Sequence, residues 1–399
     1  MILAHSVRAA AADPDKRIDW LELGKFFGEE AGGPLSPAQA EQVSPVAAAH
    51  RLLTNQFGLI PYGLYERKEG ARVPVEDAAL TAMLKGRPNP NHSMFALRKT
   101  VMSNAFWYGW GAVWNRRDHN GTLVERIPLP TDCGTIRRDN STGMIWYDFT
   151  VDGVQRTFSS YDLSILRFES HDGIQGRGLL TMAKSSIRTD AKAQEYQRKF
   201  YENGARISAI VEVDSDADSE TRDAIRREFN RFSREDAFKM AVLDHGMKVT
   251  PLGISQTDAQ YLESRGFTVE EISRFTGVPK YMLQSGKESY DSNRQQRVDY
   301  VTDVLVPYVV QWEQEDTYKL LVERQREKGW YVHGNPSVLL RGDDESRFKV
   351  YQAAIYDGVL NPDECRELEE RAPIPGGLGK THFITKNLAS LEAVAKGAT

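Results

Sequence analysis

The sequence lacks the features that would place it in a membrane or outside the cell. No apolar run approaches the roughly 18 residues needed to cross a bilayer, so we expect no membrane segment. The two cysteines, Cys133 and Cys365, are too few for a disulfide framework or a four-ligand zinc site, which favours a reducing compartment. His5 and Arg8 interrupt the apolar start of the chain, so we expect no secretory signal.

A strong excess of one charge is also missing. The net charge of the 399 residues is −5, which argues against a protein that coats nucleic acid with positive charge. Hydrophobic residues make up 40% of the chain and charged residues 27%, as in ordinary folded proteins. The length allows about two or three domains with a substantial core.

Signatures of catalysis are scarce. The eight histidines are scattered, without the i, i+4 spacing of a helical metal site. The stretch PGGLGKTH ends like a phosphate-binding loop, but Ile374 stands where that motif needs a glycine. No GxSxG motif is present, although a catalytic triad is defined by geometry and stays open at this stage. We therefore expect no enzymatic activity, no metal and no cofactor, and keep a hydrolase as an alternative.

Helical and strand-like patterns occur together along the chain, which predicts an α+β fold. Residues 1–45 are rich in Ala, Gly, Pro and Ser and are interpreted as a poorly packed arm. A helix from Val46 and then short strands follow. Turn signals at His119–Gly121, Asp139–Gly143 and Asp152–Gly153 punctuate these strands and indicate an antiparallel sheet.

Two long helical patterns occupy the second half of the chain. The first covers Leu179–Asn203, and the second covers Ser292–Lys328, where Pro307 is expected to cause a kink. Residues 207–254 between them predict a compact insert of strands and one helix. The remainder predicts a strand in GWYVHGNPSVLLRGD, a helix ended by Gly358 and a short helix with Pro362 in its first turn.

Three stretches could contact nucleic acid or a partner. The aromatic run Phe106–Trp114 could stack bases, but packed core at a helix-to-strand junction is the favoured interpretation. TVEEISRFTGVPKYML resembles a helix-turn-helix, although its second helix breaks after about one turn. The predicted helix Ser219–Phe232 is either a solvated face or a docking surface. Its basic side chains are Arg222, Arg226, Arg227, Arg231 and Arg234.

Several segments in this order resemble one family. They are PLP at Pro128–Pro130, GIQGRGLL, KFYENGARISAIVEV, TDAQYLESRGFTVEEISRFTGVPKYML, SYDSNRQQ, LVPYVVQWEQ, LLRGDDESRFKVYQAAIYDGVLNPDECRELE and PIPGG. Together they resemble the portal, or head-to-tail connector, proteins of tailed phages, in the branch with long non-contractile tails and the Hong Kong-type capsid. The resemblance covers roughly residues 46–377.

The resemblance implies a portal fold with a sheet-rich wing, long stem helices, a small α/β clip and a helical crown. The implied divisions are an arm at 1–45, wing at 46–178, stem helix at 179–206, clip at 207–254, returning stem region at 255–278, tunnel loop and start of the long helix at 279–296, long kinked helix and wing strand at 297–341, and crown and tail at 342–399.

The resemblance further implies a virion protein at one capsid vertex, assembled in the host cytoplasm. About twelve subunits would form a ring for DNA packaging and ejection. The implied partners are other copies of the chain, the major capsid protein, terminase, a head-completion or adaptor protein and double-stranded DNA without sequence specificity, with no membrane. A helix-turn-helix regulator is the alternative function.

Under this resemblance, residues 279–293 become a tunnel loop that reaches the ring axis, and the arginine helix becomes a docking surface of the clip. The candidate DNA-channel residues are Lys280, Ser285, Gly286, Lys287, Tyr290, Gln295 and Gln296. Such a loop should be polar and weakly charged, because each neutralised phosphate adds affinity that would retard sliding. Arg294 departs from the acidic residue common in related chains.

Overall fold

The computed structural model describes residues 33–68, 70–151, 153–202, 209–213, 247–251, 268–283, 290–340, 344–369 and 371–383. The chain divides into two units, Met1–Gly334 and Asn335–Thr399. Helices and strands both contribute to the first unit, as the α+β prediction requires. Among the described helices, none combines the length and apolar character needed to cross a bilayer.

The helices of the first unit fall into three groups along the chain. Those before and within the sheets are α1 Pro37–Ala40, α2 Ser44–Leu59, α3 Ala78–Lys85 and α4 Met94–Tyr108. The middle group is α5 Leu179–Met182, α6 Lys184–Glu202 and α7, residues 268–276. The last group is α8 Tyr290–Asp299, α9 Val306–Leu320 and α10 Glu323–Glu327.

All the described strands pair antiparallel in small sheets. The strands are β1 Tyr62–Lys68, β2 Ala71–Pro74, β3 Trp110–Arg117, β4 Leu123–Leu129, β5 Thr135–Arg138, β6 Ile145–Val151, β7 Val154–Ser159, β8 Leu163–Arg167, β9 Glu169–Ser170, β10 Gly176–Arg177, β11 Ala209–Val213, β12 Met247–Pro251 and β13 Trp330–Gly334. Three sheets have three strands each, in the orders β13-β1-β2, β4-β3-β8 and β5-β6-β7. β9 pairs with β10, and β11 pairs with β12.

The aromatic junction is packed core, as the sequence indicated. Gly109 ends α4 with a φ of +96° and passes the chain directly into β3. Phe106, Trp107 and Trp110 are all less than 6% exposed. A side chain at Gly109 would collide with the backbone of Gly176, because its Cβ would lie 2.4 Å from the Gly176 carbonyl carbon. The helix, β3 and the turn before α5 therefore pack backbone against backbone.

The predicted arm is partly folded. Ser36 caps α1, accepting a hydrogen bond from the Gln39 backbone N–H at 3.3 Å, and Pro37 occupies the first turn. Ala40 and Val43 are fully buried. The breaker residues thus start helices at the end of this segment, since Pro at the first turn needs no hydrogen-bond partner.

Neither long helical pattern forms one uninterrupted helix. The stem helix is interrupted at Ala183, whose φ and ψ of −103° and 16° leave the helical region and separate α5 from α6. The second pattern divides into α8, a π-helical segment Tyr300–Leu305 and α9, and ends at Leu320 instead of Lys328. There the Val306 N–H donates to the Val301 carbonyl five residues back.

Proline explains the position of this second disruption. Pro307 has no N–H to donate within the α-helical ladder, so the preceding turn widens before α9 begins. Where the sequence predicted a kink at Pro307, the structure has a π-helical turn on the N-terminal side of this proline. Leu321 is extended, with φ and ψ of −90° and 134°, and closes α9.

The second unit contains α11 Asp344–Tyr356 and α12 Pro362–Leu368. As the sequence predicted, Gly358 follows α11 with a φ of +71° and Pro362 lies in the first turn of α12. Asn361 caps α12 by accepting from the Glu364 backbone N–H at 2.9 Å. The strand predicted up to Asp343 is shorter than expected. β13 ends at Gly334, and Pro336–Leu340 forms a 3₁₀ turn.

Candidate channel segment and its supporting helix

The predicted site residues are only partly within the described chain. The five clip arginines, Arg222, Arg226, Arg227, Arg231 and Arg234, lie outside the described residues, as do Ser285, Gly286 and Lys287. Lys280, Tyr290, Gln295 and Gln296 lie at the two ends of the segment 284–289. The described residues therefore show how the molecule holds the two ends of the predicted tunnel loop.

The end of α7 is fixed by local hydrogen bonds and a close contact. The Thr276 hydroxyl donates to the Ile272 carbonyl at 2.7 Å and accepts from the Val278 backbone N–H at 3.3 Å. Gly277 has a φ of +70°, and a Cβ there would lie 2.8 Å from Val304 Cγ2. This turn therefore needs glycine for both its conformation and its space.

Directly after Gly277, the described residues 278–283 do not form the second helix of a helix-turn-helix. Lys280–Leu283 is a single 3₁₀ turn, and Val278 before it and Leu283 at its end are buried. A reading helix needs several exposed turns to lie in a groove. Residues 278–283 therefore lack the element that the regulator interpretation requires.

Lys280 already has an acidic partner. Its ammonium group forms an ion pair with Glu270, which also pairs with Arg274 at 3.2 Å. The hydrogen bond from Lys280, and then its charge, lower the pKa of Glu270. On the other side of the segment, Gln295 donates to Asp299 Oδ1 at 2.7 Å. These two predicted DNA contacts would have to exchange a partner within the chain for a phosphate.

A buried carboxylate joins α7 to the stem helix. Thr268 Oγ1 donates to Asp190 Oδ1 at 3.0 Å, and Gln194, one turn further along α6, also donates to Asp190. Asp190 is only 6% exposed. Removing water from a carboxylate is costly unless it is hydrogen-bonded, so this contact fixes the register of α7 against α6.

On the other side of the segment, α9 lies between the edges of two sheets. Gln311 Oε1 accepts from the Arg167 backbone N–H at 2.5 Å, and Glu315 Oε2 accepts from the Ile165 N–H at 3.2 Å, both on β8. Gln311 and Glu315 are four residues apart and so share one face of the helix. These two side chains accept hydrogen bonds from backbone N–H groups on the outer edge of β8, where a further strand would otherwise accept them.

Two residues on the opposite face of α9 accept hydrogen bonds from the edge of β13 in the same way. Glu313 Oε1 accepts from the Gly334 N–H at 2.7 Å, and Thr317 Oγ1 accepts from the Val332 N–H at 2.9 Å. Buried backbone N–H groups are costly when unpaired. One helix thus closes two sheet edges with alternating polar side chains, which binds the sheets to the helix that continues toward the channel segment.

A buried ion pair attaches α9 more firmly to the middle sheet. Arg126 on β4 and Asp316 on α9 have fully buried side chains and form a two-pronged contact with N–O distances of 2.5 and 3.0 Å. Ser164 donates to Asp316 at 2.9 Å, and Asn115 accepts from Arg126 Nε at 3.1 Å. The Arg126 guanidinium also lies 5.5 Å from the ring centre of Trp312.

Sequence reasoning missed this network, although one signal was available. Val309, Trp312, Asp316 and Leu320 are the buried residues of α9, spaced by three and four. Asp316 therefore continues the apolar stripe, and a carboxylate in such a stripe indicates a buried basic partner. The identity of that partner, 190 residues away, could not be read from the spacing.

The described residues offer little to a catalytic interpretation. His50 Nε2 lies 2.8 Å from Ser103 Oγ, and Glu41 lies 3.5 Å from His50 Nδ1. Burial, with a smaller effect of Lys99, lowers the pKa of His50 to about 4. His50 also packs against the rings of Phe106 and Trp107, so the contact joins α2 to α4. Within the described part of the chain, no cluster of three potential metal ligands occurs.

A sequence model of the family described as phage portal protein matches residues 44–370. The chain belongs to the phage portal protein family. Among curated relatives, the probable portal protein of Streptomyces phage phiC31 is 25% identical over 385 residues, covering 90% of this chain and 81% of the relative. The portal protein of Enterobacteria phage HK97 is 23% identical over 379 residues, covering 90% and 89%.

Solved structures agree in fold. The crystal structure of an HK97-family phage portal protein from Corynebacterium diphtheriae has a TM-score of 0.59 and 16% identity, covering 78% of this chain and 99% of that one. The neck of an empty gene transfer agent particle, computed with C6 symmetry, has a TM-score of 0.57 and 18% identity, covering 90% and 95%. A neck of the native particle, computed with C12 symmetry, has a TM-score of 0.55 and 16% identity, covering 88% and 99%.

These findings confirm the family and the portal fold expected from the sequence. They also confirm the role of the chain as a structural component of phage particles, and they give no support to a helix-turn-helix regulator. Which residues line a channel or meet a partner stays a prediction.

Proposed function

We propose that this portal protein forms a ring of about twelve subunits at one capsid vertex, through which double-stranded DNA enters and leaves. The observation that carries the proposal is the position of α9. It is pinned to two sheet edges and to a buried ion pair, and it continues through the π-helical turn and α8 to residues 284–289. A loop anchored in this way can contact moving DNA without shifting the rest of the subunit.

The negative net charge of the chain suits a channel that does not bind DNA tightly. At −5 for each chain, twelve copies would carry about −60. A dense positive lining would release counterions at every phosphate and so hold the DNA in place. Positive charge is therefore expected only at chosen positions, such as Lys280 and Lys287.

The partners follow from the same role. The clip arginines on the predicted helix Ser219–Phe232 are proposed to dock terminase during packaging and a head-completion or adaptor protein afterwards. The major capsid protein surrounds the ring, and assembly takes place in the host cytoplasm. DNA is contacted without sequence specificity, because a conduit must pass every sequence.

The assembly state tests the ring directly. Native mass spectrometry of the purified chain should show a closed ring of about a dozen copies, either alone or after nucleation with capsid and scaffolding components. A chain that stays monomeric or dimeric at high concentration under both conditions would contradict the proposal. Both conditions are needed because a portal subunit can remain monomeric until assembly is nucleated.

The tunnel loop is tested by deleting Ser285–Glu288. We expect rings to assemble normally while packaged DNA is lost or poorly retained, because the anchors at Gly277 and α9 lie outside the deletion. The measurement is the amount of nuclease-protected DNA in each particle. A matched control replaces the same four residues with a Gly-Ser linker of equal length. Normal packaging and retention by the deletion variant would contradict the assignment.

The docking role of the clip is tested by replacing Arg226, Arg227 and Arg231 with alanine. Ring assembly should be unchanged, while terminase-dependent packaging falls by about tenfold or more, since several charge-assisted contacts are lost together. Replacement of the same residues by lysine is the control and should retain part of the activity. Wild-type packaging by the alanine variant would return this helix to an ordinary solvated face.

A further inference from the structure

The second unit contains a groove that its own described residues leave open. The groove has a volume of about 420 Å³ and lies between α11 and α12. Aromatic and aliphatic side chains dominate its lining, notably Phe348, Tyr351, Ile355, Tyr356, Cys365 and Ile374. Phe348 is 51% exposed and Tyr356 is 48% exposed, so large rings that would normally be covered stand at the groove's edges.

The surrounding unit buries few apolar side chains. In the described part of Asn335–Thr399, the hydrophobic residues that are buried are Leu339 and Cys365. Apolar groove walls with so small a core favour an occupant that brings further apolar residues.

The chain itself supplies a candidate at the correct end of the groove. The described chain ends at Phe383, and its carbonyl oxygen lies 3.4 Å from the position that a Cβ would take on Gly358. Gly358 follows the last turn of α11, which contributes Ile355 and Tyr356 to the groove. The last described residue therefore lies beside the end of α11 that helps to form the groove.

The sequence of this segment, ITKNLASLEAVAKGAT, has the spacing of one apolar helix face. Ile384, Leu388 and Leu391 are four and three residues apart, whereas Ala393 falls on the opposite face. As a helix, residues 384–399 would be about 24 Å long, against about 20 Å for Asp344–Tyr356. The segment also lies beyond residues 44–370, the part that matches the family.

We propose that residues 384–399 pack as an amphipathic helix into the α11–α12 groove of their own chain, with Leu388 and Leu391 against the groove's aromatic side chains. The segment then supplies the missing apolar layer of the second unit. The contact is formed within the subunit and does not depend on the ring.

The two cysteines provide a direct test. Cys365 lies in the groove wall, and Cys133 is exposed in the other unit. In a chain ending at Phe383, a maleimide should label Cys365 at least tenfold faster than in the full chain, while Cys133 is labelled at an unchanged rate. An unchanged Cys365 rate would overturn the proposal.

A second variant guards against a truncation that disturbs folding. The full chain with Leu388→Asp and Leu391→Asp should also expose Cys365, because a carboxylate cannot enter the apolar groove without cost. Ala393→Asp on the opposite face is the matched control and should leave the labelling rate unchanged. Equal effects of the two changes would overturn the proposal, as would protection that depends on ring assembly and not on these leucines.

Cross-linking decides which chain supplies the segment. With Cys133→Ser, the variants Leu388→Cys and Leu391→Cys should, one or both, form a disulfide with Cys365 on mild oxidation at monomer mass, and Ala393→Cys should not. Bonds that appear only at dimer mass would mean that the segment comes from a second copy, which would contradict packing within the subunit. None of these readouts requires DNA packaging, so their failure is separate from failure of the ring.

Discussion

The two units of the chain bury their apolar side chains to different extents. In the first unit, many apolar side chains of α2, α4, β3 and α9 are buried, and even Arg126 and Asp316 are fully buried. In the described part of the second unit, Val350, Val359 and Leu378 are 63%, 69% and 72% exposed. The first unit can therefore be stable through its own packing, whereas the second needs apolar surface from elsewhere.

This difference agrees with the work expected of a portal subunit. On the proposed function, a first unit that holds its shape would give fixed anchors to the proposed channel loop, because α9 is hydrogen-bonded to two sheets. A unit with a small core can instead adapt to what covers it. Changes in the first unit should thus alter the stability of the isolated chain, whereas changes at exposed positions of the second unit outside the α11–α12 groove should not.

The largest effect is expected from Asp316→Ala. This change leaves Arg126 buried without its carboxylate, which should lower the free energy of unfolding by about 3–5 kcal/mol. Urea denaturation followed by circular dichroism measures the loss. The double variant Arg126→Met, Asp316→Leu should recover much of it, because both charges are then removed. A loss below about 1 kcal/mol for Asp316→Ala would contradict the anchoring role of this pair.

A smaller, pH-dependent effect is expected from His50. Its pKa is about 4 in the folded chain against 6.5 for a free histidine, so the unfolded state binds a proton first as the pH falls. This contribution to stability is present above pH 6.5 and is lost between pH 6.5 and 4, by up to about 3 kcal/mol.

The measurement for His50 is the urea midpoint as a function of pH. His50→Gln can still bond to Ser103 but does not titrate, so its curve should be flatter than the wild type between pH 6.5 and 4. His382, which is half-exposed and 3.8 Å from Glu364 in the second unit, serves as the comparison through His382→Gln. If that change flattens the curve as much as His50→Gln, the acid sensitivity is not particular to the first unit.

The smallest effect is expected from Val350→Ser in the second unit. Val350 is 63% exposed, so its replacement should change the unfolding free energy of the isolated chain by no more than about 0.5 kcal/mol. Val113→Ser on β3, where the side chain is fully buried, should cost several times more. Equal losses from the two changes would mean that the units do not differ in packing.

Local residue chemistry was enough to predict much of the fold. Gly358 follows α11, Pro362 lies in the first turn of α12, and Asn120 with Gly121 forms the turn between β3 and β4, as predicted, because each depends on neighbours within a few residues. The π-helical turn before Pro307 was harder to predict. A proline indicates a disruption but does not say whether the helix bends, widens or ends.

The candidate site could be predicted only in part for the same reason. The polar sequence between α7 and α8 predicts a loop, of which residues 284–289 lie outside the described residues. The pairing of Lys280 with Glu270 could not be predicted from the sequence. The four polar residues of α9 resemble an ordinary solvated face when read alone. Only the folded chain brings Glu315 to Ile165 and Glu313 to Gly334.

The sequence by itself determined the portal family, the order of helices and strands, and the low net charge that suits a DNA conduit. These properties follow from local spacing, local turns and a sum over residues. The tertiary structure decided that α9 closes two sheet edges, because that depends on which distant backbone groups are left unpaired after folding. It also decided that Arg126 meets Asp316, because only the folded chain brings these two distant side chains together.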